Sequence, residues 1–159
     1  MIERAIPIRG LRWVLAALAV ATAPHAMHMP AWVSLQLVAV MAWRAAAGAV
    51  GWPMPPRWLR LLAVLVATVA VFGTYRTING IEAGTSLLVL MAAVKLLETR
   101  SARDLTVLVF IAYFLAYAAL LRDQKLLQLP WLLASAAITT AALMRVHAGT
   151  VGDSWREVA

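Results

Sequence analysis

Apolar runs of near-spanning length alternate with short polar or proline-containing breaks along the whole chain. The runs cover about residues 11–26, 30–50, 58–75, 81–97, 104–121 and 127–144. A membrane-spanning helix needs about 20 residues, within a range of roughly 17–25. The backbone must satisfy its own hydrogen bonds in lipid, which favours helices. The pattern therefore predicts an all-α polytopic membrane bundle with about six transmembrane helices.

The breaks between the runs carry helix stop and start signals. Three prolines within residues 53–56 cannot continue a helix and separate the second run from the third. Ser101 and Asp104 have the spacing of a capping box, which predicts that the fifth helix starts there. Asn79 and Glu82 have the same spacing before the fourth run, with Asn79 as the predicted N-cap.

The two ends of the chain differ from its middle. Residues 1–145 are predicted to form the transmembrane domain, and residues 146–159 a polar cytoplasmic tail. An Ala-x-Ala sequence at residues 21–23 is compatible with a cleaved signal peptide. Because the rest of the chain is just as hydrophobic, a retained first helix is the preferred interpretation.

Composition strengthens the membrane assignment. Hydrophobic residues make up 64% of the chain and charged residues 13%, whereas soluble domains are near half apolar and about a quarter charged. The mean hydropathy is +0.83. So few polar side chains cannot cover this much apolar surface in water, so lipid is the expected solvent.

The positive charge predicts an orientation. The net charge is +7, and the basic residues are dispersed in short clusters between the apolar runs, which argues against nucleic acid as a partner. With a cytoplasmic N-terminus, the positive-inside rule is followed by eleven of the fourteen basic residues. The outside segments then hold Arg76, Arg122 and Lys125.

Two polar segments are candidates for a functional role. Glu82 is either a proton or cation site, or a partner of Arg76, or simply a carboxylate that favours the start of a helix. The segment KLLETRSARD is either an ion-pair cluster that locks the fourth and fifth helices together or a solvated turn. Glu98 has Lys95, Arg100, Arg103 and Arg57 as potential partners in this interpretation. The candidate polar cluster comprises Arg76, Glu82, Lys95, Glu98, Arg100, Arg103 and Asp104.

No catalytic residue, cofactor or metal site is predicted. The chain has no cysteine, so it offers no thiolate nucleophile or ligand. His25 and His28 are close in sequence but lack a third ligand nearby, and interfacial histidines are the preferred interpretation. The pattern contains no phosphate-binding glycine loop and no HExxH motif.

The stretch from residue 73 to residue 124 resembles the N-terminal membrane domain of the TgpA-type transglutaminase-like family. The family pattern G-x-E-A-G-x-x-L-L, followed by K-L-L-E-x-R-x-x-R-D and a helix ending near a Gln, is present. The segment PPRWLR at residues 55–60 is also similar to the family's sequence before its third helix. The matching positions are Gly80, Glu82, Ala83, Gly84, Leu87, Leu88, Lys95, Leu96, Leu97, Glu98, Arg100, Arg103, Asp104 and Gln124.

The resemblance implies a multi-pass protein of the bacterial inner membrane. Family members carry a membrane domain and then a periplasmic transglutaminase-like domain with a Cys-His-Asp triad. That triad cannot be formed here, and the tail GDSWREVA resembles the lead-in to another helix, so we expect a piece of a longer protein over a stand-alone copy. The expected function is a non-catalytic membrane anchor or scaffold, with the lipid bilayer and a periplasmic domain of the same polypeptide as partners. Two alternatives stay open: a small transporter or channel subunit with Glu82 and Arg76 in an outer vestibule, and an intramembrane enzyme that modifies lipid.

Overall fold

Six helices follow one another in the part of the chain that the structure describes. A computed structural model describes residues 8–50, 55–76, 80–122 and 128–158. Within these ranges its side chains are described from residue 10 to residue 148, Arg57 excepted. The helices are α1 (Ile8–Ala26), α2 (Ala31–Val50), α3 (Arg57–Tyr75), α4 (Ile81–Glu98), α5 (Ala102–Arg122) and α6 (Leu129–Val158). The described residues contain no β-strand, which confirms the predicted all-α class.

Four of these helices are long and apolar enough to cross a membrane. They are Ala31–Val50, Trp58–Tyr75, Ala102–Arg122 and Leu129–Ala148, among the residues that the structure describes. The prediction that α1 and α4 also cross stays a prediction. α4 has 18 residues and carries Glu82, Lys95 and Glu98, all within four residues of one of its ends.

α6 continues well beyond the apolar run that the sequence predicts. The run was expected to end near residue 144 and to be followed by a polar tail, but the helix extends to Val158. Its only proline, Pro130, lies in the first turn, where a missing N–H is tolerated. Gly149 and Gly152 weaken a helix by only about 1 kcal/mol each relative to alanine, so no strong stop signal lies in the tail.

The chain forms two compact units. The first consists of residues 1–21 and 99–159, and the second of residues 22–98. In the first unit α5 packs against α6, and the buried face of α5 repeats at helical spacing with Leu105, Leu108, Ala112 and Leu115. Such a stripe of three or four residues per two turns is what one side of a packed helix presents.

In the second unit α4 is the central helix, because it packs against both α2 and α3. Half of its residues are buried accordingly, including Ala83, Val89, Ala92 and Ala93. Small side chains at these positions allow neighbouring helix backbones to approach closely, which is the usual source of packing energy in lipid. α3 by contrast leaves most of its large apolar side chains exposed, as expected for a helix that faces hydrocarbon.

Candidate functional site

Arg76 and Glu82 flank the connection between α3 and α4. Arg76 is the C-cap of α3: its backbone is left-handed, with φ 55°, and its N–H donates to the Phe72 carbonyl oxygen at 2.8 Å. Its side chain is exposed, as is that of Glu82 in the first turn of α4. No ion pair joins these two described residues. The arrangement places a cation at a helix C-terminus and an anion at a helix N-terminus, where each is favoured by the helix dipole.

The fourth helix begins one residue later than a cap at Asn79 requires. Asn79 lies outside the described residues, but the Gly80 carbonyl already accepts the first helical bond from Gly84 N–H, at 2.9 Å. Gly80 has φ 129°, a conformation that side chains with a Cβ rarely adopt. Glycine therefore makes the turn into α4, and Glu82 becomes the second helical residue.

Glu98 forms its ion pair with Arg60, which is not one of the four basic residues that the sequence suggests as partners. Its Oε1 lies 3.8 Å from Nη1 of Arg60, which is on α3. The Arg60 side chain is only 12% exposed and that of Glu98 42%. Arg60 Nε is buried with no hydrogen-bond partner among the described residues, so Glu98 is the counter-charge to a largely buried cation. The pair joins the start of α3 to the end of α4, whereas the expected interaction joined α4 to α5.

The predicted capping box at the start of α5 is present. The N–H of Asp104 donates to Ser101 Oγ at 3.3 Å, and Asp104 Oδ2 accepts from the N–H of Ser101 at 3.2 Å. The same carboxylate oxygen accepts from Ser101 Oγ at 2.9 Å and from the N–H of Arg100 at 3.2 Å. Asp104 therefore has a structural role, because it satisfies donors that the helix start leaves over.

The seven residues of the candidate polar cluster are divided between the two compact units. Arg76, Glu82, Lys95 and Glu98 belong to one compact unit, and Arg100, Arg103 and Asp104 to the other. Lys95 is half-buried in the last turn of α4, and the side chains of Arg100 and Arg103 are exposed. Among the described residues, no three His, Cys, Asp or Glu side chains are grouped to hold a metal ion.

Two polar residues, Arg44 and His25, are buried. Arg44 is only 5% exposed, although an arginine near the end of a span usually reaches the interface. It shares the buried face of α2 with Val33, Leu37 and Ala47, a helical spacing that is visible in the sequence. His25, expected at the interface, is fully buried, and its backbone carbonyl accepts from two N–H groups at the end of α1.

Comparison with known proteins connects the chain to one family. Residues 13–159 match the family described as the TgpA N-terminal domain. A protein-glutamine gamma-glutamyltransferase of Pseudomonas aeruginosa is 31% identical over 140 residues, which is 88% of this chain and 21% of that protein. No solved structure matches the chain.

The molecule is thus an all-helical protein with several helices suited to a membrane. It belongs to the TgpA N-terminal domain family, since the match covers residues 13–159 of its 159 residues. The chain spans about a fifth of the length of the relative from Pseudomonas aeruginosa.

Proposed function

We propose that this chain is the membrane anchor and helical scaffold of a transglutaminase-like envelope protein, and that it has no catalytic activity itself. The observation that carries the proposal is the family match over residues 13–159, together with four helices able to span a membrane. The protein-glutamine gamma-glutamyltransferase activity for which the relative is named would then belong to other parts of a longer polypeptide. Its location would be the bacterial inner membrane.

The polar residues of the chain support an anchoring role over a chemical one. Two carboxylates have structural contacts: Glu98 pairs with an arginine on a neighbouring helix, and Asp104 caps the start of α5. General acid–base chemistry needs groups within hydrogen-bond reach of each other and of a substrate. The two residues invoked for an outer vestibule, Arg76 and Glu82, each lie at the helix end that suits their charge and form no ion pair with each other.

The anchoring role is tested by fusing the chain in front of a soluble reporter enzyme. The reporter should sediment with the membrane fraction and stay there after a carbonate wash, while the reporter alone stays in the supernatant. A reporter that the wash releases from the chain would contradict the anchor. Insertion is expected because a single apolar helix of about 20 residues already anchors a protein stably.

The absence of catalysis is tested on the purified 159-residue chain. Amine incorporation into glutamine substrates, peptide hydrolysis and lipid turnover should each equal a heat-treated control. Turnover above that control, lost in Glu82→Gln, would overturn the proposal and favour the intramembrane enzyme. A matched variant, Glu98→Gln, removes a carboxylate at the other end of α4 and should leave any such turnover unchanged.

A further inference from the structure

An open cavity lies between α5 and α6 at the N-terminal end of α5, next to the charged turn that precedes this helix. Its volume is about 330 Å³, and it is lined by Ala102, Arg103, Thr106, Val107, Phe110, Val146 and His147. Two of these residues are basic or titratable and sit at one end, whereas Val107, Phe110 and Val146 are apolar. The cavity size is within the roughly 300–1,000 Å³ of small-molecule sites.

A second cavity continues from the first along α5. It measures about 300 Å³ and is lined by Phe110, Tyr113, Phe114 and Tyr117, so the two cavities share Phe110. Phe110, Phe114 and Tyr117 are 54%, 62% and 57% exposed. Their spacing of four and three residues puts them on one side of the helix. Together the cavities form a groove with a cationic end and an aromatic floor, here called the α5 groove.

The aromatic floor is not part of an interfacial aromatic belt. Belt residues lie at the two membrane–water boundaries, but Phe110 and Tyr117 are 8 and 15 residues beyond the first residue of α5. At 1.5 Å per residue they lie about 12 to 22 Å along the helix. From Arg103 to Phe114 the groove runs about 16 Å, which is close to half of a hydrocarbon core of roughly 30 Å.

Arg103 is available for an anionic ligand. Its side chain is exposed, and among the described residues it forms no ion pair or hydrogen bond. Neighbouring Asp104 directs Oδ2 at the backbone of the turn and at Ser101. His147 is held beside the cavity because its Nδ1 donates to the Leu143 carbonyl oxygen at 3.0 Å. A guanidinium at the mouth of an apolar groove matches a phosphate group attached to an acyl chain.

We propose that the α5 groove binds an anionic phospholipid, with Arg103 on the headgroup phosphate and an acyl chain along Val107, Phe110 and Phe114. The positive-inside pattern puts this end of α5 at the cytoplasmic leaflet. A free phosphate ion would use the arginine but gain nothing from the aromatic floor, which is why a lipid is the ligand that fits the whole groove. The inference rests on the proposed membrane location of the chain.

The test is native mass spectrometry of the detergent-purified chain, titrated with phosphatidylglycerol or with phosphatidylcholine of the same acyl chains. We expect phosphatidylglycerol to bind more tightly. Arg103→Ala should weaken it about tenfold, which corresponds to about 1.4 kcal/mol, since the charge-assisted hydrogen bond to the phosphate is lost. Arg103→Ala should weaken phosphatidylcholine binding less than phosphatidylglycerol binding, because the choline ammonium already offsets the charge of the phosphate that Arg103 contacts. Phe114→Ala should weaken both lipids alike.

Arg100→Ala is the matched control. Arg100 is also an exposed arginine of the charged turn, but it does not line the groove. Arg100→Ala should change phosphatidylglycerol binding less than about twofold. Equal losses in Arg100→Ala and Arg103→Ala would overturn the proposal in favour of diffuse surface charge. Displacement of phosphatidylglycerol by millimolar inorganic phosphate would overturn it in favour of a phosphate site.

Folding and membrane insertion are measured separately. Far-ultraviolet circular dichroism must be unchanged in each variant, and Arg103→Lys, which keeps the charge, should retain most of the binding. If the chain fails the carbonate wash, the anchor proposal fails. If it stays in the membrane but shows no preference for phosphatidylglycerol, only the inference about the α5 groove is overturned.

Discussion

Tyrosine hydroxyl groups join neighbouring helices in each compact unit. Tyr75 Oη lies 2.8 Å from Ser86 Oγ, and Tyr113 Oη lies 2.6 Å from Thr140 Oγ1. The second bond has a definite direction: the Thr140 hydroxyl donates its one hydrogen to the Ala136 carbonyl at 2.7 Å, so Tyr113 must be the donor. Such bonds between membrane helices contribute about 0.6 kcal/mol on average.

Tyr113→Phe should therefore lower the free energy of unfolding by roughly 0.5–1 kcal/mol, because the tyrosine donor is lost while Thr140 keeps its bond to Ala136. The measurement is reversible unfolding in mixed micelles, followed by circular dichroism. Tyr117→Phe is the control: its ring is exposed and its hydroxyl makes no hydrogen bond to the described residues. Equal losses in the two variants would contradict the assignment of the bond.

Gly80 and Gly84, at the start of α4, differ in whether they can be replaced by a residue with a side chain. Gly80 has φ 129°, where a Cβ is strained, whereas Gly84 lies in α4 with a helical backbone, and a methyl group there would meet no atom within 4 Å beyond its own turn of helix, among the described residues. Gly80→Ala should destabilise the protein by about 1 kcal/mol or more, and Gly84→Ala should stabilise it by roughly 0.4–1 kcal/mol. Thermal melts of both variants measure this. A destabilising Gly84→Ala would show that another helix packs on this glycine.

At the scale of elements, the helix boundaries follow from short-range chemistry and were largely predictable. Prolines before α3 and the Ser101–Asp104 capping box act within one turn, so a single sequence contains the whole signal. The turn into α4 is made by Gly80 with φ 129°, and the predicted cap Asn79 lies outside the described residues. α6 extends to Val158, beyond the predicted apolar run, because the end of an apolar run does not by itself stop a helix.

The pairing of side chains between helices was not predictable, since it depends on which helices pack together. Glu98 has several basic residues nearby in sequence, yet its partner is Arg60, 38 positions earlier on α3. The burial of Arg44 likewise depends on how α2 packs in its unit, where α2 contacts α4. The α5 groove required Val146 and His147 of α6 to be placed beside Arg103, which no local pattern indicates.

The Arg60–Glu98 ion pair is tested by a double-mutant cycle. Because Glu98 is 42% exposed, the coupling should be that of a screened pair, about 0.2–1 kcal/mol. The variants are Arg60→Ala, Glu98→Ala and the double variant, unfolded in mixed micelles. Arg76→Ala, an exposed arginine at the opposite end of α3, should be additive with Glu98→Ala. Coupling of Glu98 to Arg103 and not to Arg60 would favour the earlier α4–α5 interpretation.

At the scale of the molecule, α1 and α6 run in opposite directions. Arg145 lies over the Trp13 ring at 5.8 Å, and Trp131 Nε1 donates to the Val20 carbonyl oxygen at 3.2 Å. Trp13, near the start of α1, therefore lies beside the middle of α6, and Val20 of α1 lies beside the first turn of α6. If both helices cross the membrane, the chain enters α1 and leaves the apolar part of α6 on the same side. This agrees with an even number of spans.

The number and direction of the membrane spans are predictions about the whole molecule. Four described helices are long and apolar enough to cross a membrane, and α1 and α4 are not among them. The chain has no cysteine, so single cysteines can be introduced and labelled in intact cells with an impermeant thiol reagent. With six spans and a cytoplasmic N-terminus, a cysteine is labelled when it replaces Met27, Thr77 or Asp123. It is not labelled, until the cells are lysed, when it replaces Pro55, Ala102 or Gly149.

Two comparisons decide whether α1 and α4 cross the membrane. Thr77 and Ala102 bracket α4, so opposite labelling of these positions means that α4 crosses the membrane, and equal labelling means that it does not. Met27 follows α1 directly and is 91% exposed, which makes it a sensitive reporter of the outer end of that helix. Eleven basic residues lie on the predicted cytoplasmic side and three on the outer side. This excess predicts the orientation of the chain, because cytoplasmic loops retain Lys and Arg. Labelling of Pro55→Cys and Ala102→Cys without lysis would reverse the orientation and place Arg103 and the α5 groove in the opposite leaflet.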